Sequence, residues 1–263
     1  LIAFTLMLIP LGLVGVNAGV LKFFPKLEHL IKHGLLGVFL TFVLLFLSIT
    51  FGGLFFFGNT IKISYHTNAP LFTSYFHLVY PLTFFFVTTA LLEAFSRSHL
   101  ETYLPTFLRE VGLRLITSCL IITYALDLMN FNTFINLYVC SFGFSTITLL
   151  LFLILKYNHR LSYRTKLLKL IPLKEILTFS GFSFFTSAAT IFMLQVDKLM
   201  VSNIISEKAT GVYALAIYLA TLIEVPKRAI GQTLGPLIAQ AWKTSDMPNL
   251  EKAYQKASIN QQL

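Results

Sequence analysis

Seven long, mostly apolar runs divide this chain of 263 residues. A helix that crosses a bilayer needs about 20 such residues. The runs lie near 1–21, 34–58, 71–95, 109–131, 133–155, 175–204 and 211–241, and "GLLGVFLTFVLLFLSITFGGLFFFG" shows their character. The last two are long enough to tilt or to project from the bilayer. Charged residues make up 12% of the chain and hydrophobic ones 56%, against about 25% charged in a soluble domain. The spacing predicts an all-α, polytopic transmembrane bundle of about seven spans, with a lipid bilayer as its main partner.

The net charge of +9 would suit nucleic acid, but the basic residues form no continuous stripe, so no nucleic-acid partner is expected. They sort by loop instead. Fourteen Lys and Arg fall on one side of the alternating spans, at Lys22, Lys26, Lys32, Arg97, Arg109, in the 156–174 connection and after the seventh run; the opposite connections hold Lys62 and Lys208. Basic loops stay cytoplasmic, so these loops and the visible C-terminus are expected on the cytoplasmic side. Leu1 opens directly on an apolar run with no basic region before it, which reads as entry inside a span rather than as a signal peptide.

Four cations remain once the loops are assigned: Arg114, Lys198, Lys227 and Arg228. Arg114 falls roughly 7 Å inside its span and lies four residues from Glu110, the spacing of a helical ion pair. Glu224 and Arg228 repeat that spacing, and Pro226 between them removes a backbone hydrogen bond. A kink beside charges at membrane depth needs protein or water to satisfy the freed groups. With Glu224 paired to Arg228, Lys227 has no obvious partner on its own helix and would draw a phosphate into such a cavity. Asp197 sits near the non-cytoplasmic end of the sixth run, as an interfacial anchor or as a gating or ion site, and Lys198 can snorkel outward. Glu93 can pair with Arg97 or take part in ion coupling. His77 reads as a packing residue and His99 as a solvated loop residue. Cys119 and Cys140 read as buried spectators. No metal or nucleotide motif and no catalytic constellation is present, so no cofactor is expected.

The end of the first run, "GVNAGVLKFFPK", and the stretch "LTFSGFSFFTSAATIFMLQVDKLMVSNIISEKATGVYALAIYLATLIEVPKRAIGQTLGPLIAQAW" resemble polysaccharide-biosynthesis flippases. Those belong to the multidrug/oligosaccharidyl-lipid/polysaccharide exporter superfamily. The resemblance implies a two-lobe fold of twelve to fourteen spans, with residues 1–174 as an N-terminal lobe lacking its first span and 175–263 as the start of a C-terminal lobe ending in an interfacial helix. It implies a transporter rather than an enzyme, moving polyprenyl-pyrophosphate-linked oligosaccharide across a bacterial inner membrane by alternating access, with a polysaccharide assembly machinery as a further partner. Lys22, Arg114, Lys227 and Arg228 would line the substrate cavity. Asp197, Glu224 and Glu93 would serve gating or coupling, and Pro226, Gly231 and Gly235 the hinge. A peptidoglycan-precursor flippase and a multidrug or cation antiporter are the alternatives, with a membrane glycosyltransferase or polymerase behind them.

Overall fold

The computed structural model describes residues 1–28, 35–157 and 173–221. They form α1 (Ile2–Leu13), α2 (Val16–Glu28), α3 (Leu35–Tyr65), α4 (Pro70–Ser74), α5 (Val79–Ser98), α6 (Tyr103–Phe107), α7 (Leu113–Ala125), α8 (Phe131–Tyr157) and α9 (Leu173–Ile204). A 3₁₀ turn, Phe76–Leu78, leads into α5, and a π turn, Leu108–Gly112, joins α6 to α7. There is no strand among the described residues. The chain divides into two compact units, Leu1–Ser206 and Glu207–Leu263. The second is described over 207–221, which are helical. α9, which the resemblance assigns to the start of a second lobe, packs within the first unit.

Four helical segments among the described residues are long and apolar enough to cross a membrane: Leu35–Tyr65, Phe76–Ser98, Phe131–Tyr157 and Lys174–Ile204. The bent pair α1–α2 makes a fifth if counted as one span. The protein is therefore a helical membrane protein. α3, at 31 residues, is roughly 46 Å long and outreaches the ~30 Å core. The expected fourth span, 109–131, is displaced: helical backbone runs from Tyr103 to Ala125 through the π turn and ends at Leu126–Asp127, where Asp127 adopts φ 55°. The seventh is described only to residue 221.

α5 is the central post. Its spanning window is 56% buried against 11% for α9, and it touches α1, α2, α3 and α8. Val87, Leu91, Leu92 and Phe95 meet Val20 and Phe24 of α2, Leu36, Phe39 and Val43 of α3, and Leu149 and Leu153 of α8 in one core. In lipid such packing is driven by close fit rather than by release of water, and small residues let backbones approach. Gly143 of α8 faces the ring of Phe85, and the hydroxyls of Thr89 and Thr146 bond at 2.7 Å. The outer surface stays apolar, with Phe55, Phe56, Phe182 and Phe185 each more than two-thirds exposed. So many exposed large apolar side chains suit contact with lipid. Cys119 and Cys140 lie exposed rather than buried, on helices whose outer faces the apolar composition left undistinguished from the inner.

The first run is not one straight span. Pro10 lies inside α1, Val14 accepts the left-handed conformation at φ 46°, and Gly15 follows at φ 70°. The helix breaks there, and α2 departs at 50°. Gly15 is wedged on α9: a Cβ added to it would lie far inside van der Waals contact distance of the Ser180 carbonyl oxygen. One turn on, a Cβ at Gly19 would come within 2.7 Å of Ser180 Oγ. Gly15 and Gly19 thus form a small-xxx-small seam against α9.

A methyl group at position 15 must therefore push the helices apart and also occupy a positive-φ backbone. Gly15→Ala is expected to cost about 1–3 kcal/mol or more, whereas Val14→Gly should relieve left-handed strain of ~1–2 kcal/mol. Unfolding in mixed micelles measures both, and opposite signs are the expected outcome.

Candidate functional site

Polar groups gather at the two ends of the bundle. At the end carrying most basic loops, Glu93 on α5 is only 12% exposed and accepts from Arg97 at 2.8 Å and Arg109 at 3.4 Å. Arg109 also reaches Glu110 at 3.2 Å, and Glu110 accepts from Arg114 at 2.8 Å. The two i,i+4 pairs follow from helical spacing, while the Arg109 bridge arises because the π turn brings the start of the next helix beside α5. A second cluster joins α8 to the 99–102 turn: Lys156 pairs with Glu101, and the Tyr157 hydroxyl donates to the same carboxylate at 3.0 Å. The Lys156 ammonium, hydrogen-bonded to it, holds the Glu101 carboxyl below its usual range; the Tyr157 bond adds to the effect.

His99 departs from the solvated role expected of it. Its ring packs 4.6 Å from Phe24 and 4.0 Å from Tyr157, and Nδ1 lies 2.9 Å from the Phe95 carbonyl. It closes α5 onto α2 and α8. His77 is exposed in the 3₁₀ turn rather than packed.

Lys22 stands apart from both clusters. Its ammonium sits 3.8 Å from the centroid of Phe179 on α9 and 5.4 Å from that of Phe23, and it forms no ion pair among the described residues. Around it opens a groove of about 550 Å³ between α2 and α9, lined also by Lys174, Glu175, Thr178 and Phe182. Arg114, with 69% of its side chain exposed, does not line this groove.

At the far end of α9 the links are uncharged. Asn68 Nδ2 donates to the Asn203 carbonyl at 2.6 Å, Asn203 Nδ2 donates to Ser64 Oγ at 3.2 Å, and the Tyr65 hydroxyl donates to the Leu199 carbonyl at 3.4 Å. Asp197 is exposed on this half of α9, and Lys198 donates to Gln195 Oε1 at 3.1 Å. The expected site residues Glu224, Pro226, Lys227, Arg228, Gly231 and Gly235 lie outside the described residues. No cluster among the described residues would hold a metal ion. Comparison with protein-family models, with curated proteins and with solved structures finds no match.

The Glu101 linkage gives a pH dependence with a definite sign. A carboxyl whose folded pKa is depressed contributes its full stabilisation above the ordinary value of 4.5, and loses it as pH falls from there through the folded value. Wild-type protein in detergent should therefore lose thermal stability on acidification below about pH 4.5, and Glu101→Gln should remove part of that slope while lowering stability at neutral pH. An unchanged acid slope in the variant would show that Glu101 does not carry the linkage.

Proposed function

We propose that the chain is part of a flippase that moves polyprenyl-pyrophosphate-linked oligosaccharide between leaflets of a bacterial inner membrane by alternating access, without covalent chemistry. The observation that carries this reading is the asymmetry along α9. At the end of Lys22 and Lys174 the helix stands over an open groove, and at the end of Asn203 it is fastened to the end of α3 and the turn after it by amide and hydroxyl bonds. A path open at one end and closed at the other is what one state of alternating access requires. The break at Val14–Gly15 gives further support, because interrupted helices at mid-depth mark transporter sites and moving parts.

On this reading the basic loops are cytoplasmic, and the fold extends to two lobes of six or more spans. Lys22, Arg114, Lys227 and Arg228 attract the pyrophosphate. Pro226, Gly231 and Gly235 let their helix bend, and Asp197, Glu224 and Glu93 serve gating or coupling. Arg114 and Glu93 already hold charged partners, so their part is to set the local field rather than to bind directly. The substrate's glycan is assembled and consumed by a polysaccharide machinery on either side.

Transport of defined lipid-linked sugars into vesicles by the intact protein is the direct test. Lys227→Gln with Arg228→Gln is expected to abolish it while membrane insertion persists. Normal transport by that double variant removes the cavity role of both residues, and transport of a peptidoglycan precursor alone reassigns the substrate. A disulfide between Ser64→Cys and Asn203→Cys should form readily and arrest transport until reduced. Unimpaired transport by the cross-linked protein would mean that the α3–α9 contact does not open.

A further inference from the structure

The groove between α2 and α9 has the composition of an amphiphile site rather than of a site for a free anion. Two ammonium groups, Lys22 and Lys174, stand on its polar side, with one carboxylate, Glu175. The Thr178 hydroxyl is committed to the Lys174 carbonyl at 2.8 Å, so the cations must do the anion binding. The remaining lining is aromatic: Phe23, Phe179 and Phe182. Lys22 is held over the Phe179 ring, which fixes its position without neutralising it, since a ring face attracts a cation but carries no net charge. Thr178, Phe182 and Phe185 follow at four- and three-residue spacing, so they share one face of α9. Phe182 and Phe185 are 73% and 71% exposed. A charged head at the groove thus continues into an apolar wall that faces the acyl region.

We propose that this groove binds the phosphate of an anionic glycerophospholipid from the surrounding leaflet, with the phosphodiester between Lys22 and Lys174 and an acyl chain along Phe179, Phe182 and Phe185. Among the described residues, two cations and one carboxylate leave a single positive charge, which one phosphodiester neutralises. The carboxylate disfavours a doubly charged monoester by comparison. The proposal requires only that α2 and α9 lie in a bilayer. A failed transport assay leaves it standing, and a failed lipid assay leaves the transport reading to its own test.

The experiment places a fluorescent reporter in the groove, Phe182→Trp, in the full chain with the native Trp242 changed to Phe. The protein is reconstituted in phosphatidylcholine containing brominated phosphatidylglycerol or, separately, brominated phosphatidylcholine, and quenching gives the relative affinity at the reporter. The expected preference for phosphatidylglycerol is roughly fivefold, the effect of one net basic charge near a membrane surface. It should fall to near unity with Lys22→Gln alone, drop below unity with Lys22→Gln and Lys174→Gln together, and survive Lys22→Arg. A second reporter, Phe55→Trp on the exposed face of α3, should show no preference. Equal preference at both reporters, or preference that persists in the double glutamine variant, would overturn the proposal. Relief of quenching by millimolar glycerol phosphate would also overturn it, because the groove would then be taking a soluble phosphate.

Discussion

In hydrocarbon an unpartnered backbone N–H or C=O costs several kcal/mol, and the whole structure is arranged around that cost. Every described spanning segment is helical, so each peptide group finds its partner four residues away along the same chain. The hydroxyls obey the same constraint. Thr41, Thr50, Thr83, Thr88, Thr148 and Thr190 all donate to the carbonyl four residues earlier, which lets polar side chains lie in lipid or core without a separate partner. The break at Val14–Gly15 between α1 and α2 is built against protein. Gly15 is covered by the backbone of Ser180, and Val14 N–H still reaches the Pro10 carbonyl at 2.7 Å. Ser180 Oγ, buried without a hydrogen-bond partner, lies over Gly19 instead of folding back on its own helix.

The two ends of the bundle are joined by bonds of different kinds, and those kinds respond differently to solution conditions. The pairs among Glu93, Arg97, Arg109, Glu110 and Arg114 are half-exposed at their cationic ends. Such pairs contribute little individually and are screened by salt. Their value lies in the sharing of Glu93 and Arg109 between two helices, which fixes the approach of α5 to the π turn. The Asn68–Asn203–Ser64 set carries no charge and is indifferent to ionic strength. High salt therefore weakens the ion pairs at one end and leaves the amide set at the other unchanged.

Helical class, membrane residence and the approximate position of the long spans were legible in the sequence, because apolar run length is a direct record of bilayer thickness. The ion pairs Glu93–Arg97 and Glu110–Arg114 were legible too, since helical spacing alone decides them. The links that depend on which helices are neighbours were not. Nothing in the local pattern relates Glu101 to Lys156 or Asn68 to Asn203, which are separated by 55 and 135 residues. The role of His99 was hidden for the same reason, as its partners Phe24 and Tyr157 come from distant runs. The break in the first span carried a readable sign, Pro10 followed by Gly15-Val16-Asn17-Ala18-Gly19, in which the glycine spacing marks a helix–helix seam. High hydropathy masked it, because apolarity says that a segment is in the membrane and nothing about whether it is straight.

α9 ties these observations together. Little of it is buried, yet it is held at two separated regions: Phe179 to Phe184, under Lys22 and against the glycines, and Leu199 to Ile204, against the end of α3 and the turn that follows it. The glycine seam lies at the Lys22 end, directly beside Phe179. Small residues suit that position, since they present few side-chain atoms to interlock. The fastening at the Asn203 end consists of a few neutral hydrogen bonds, each worth about 0.5–1.5 kcal/mol net. Their sum is of the same order as the few kcal/mol that separate two exchanging conformations. A buried charged lock there would cost more to break than this amide set does.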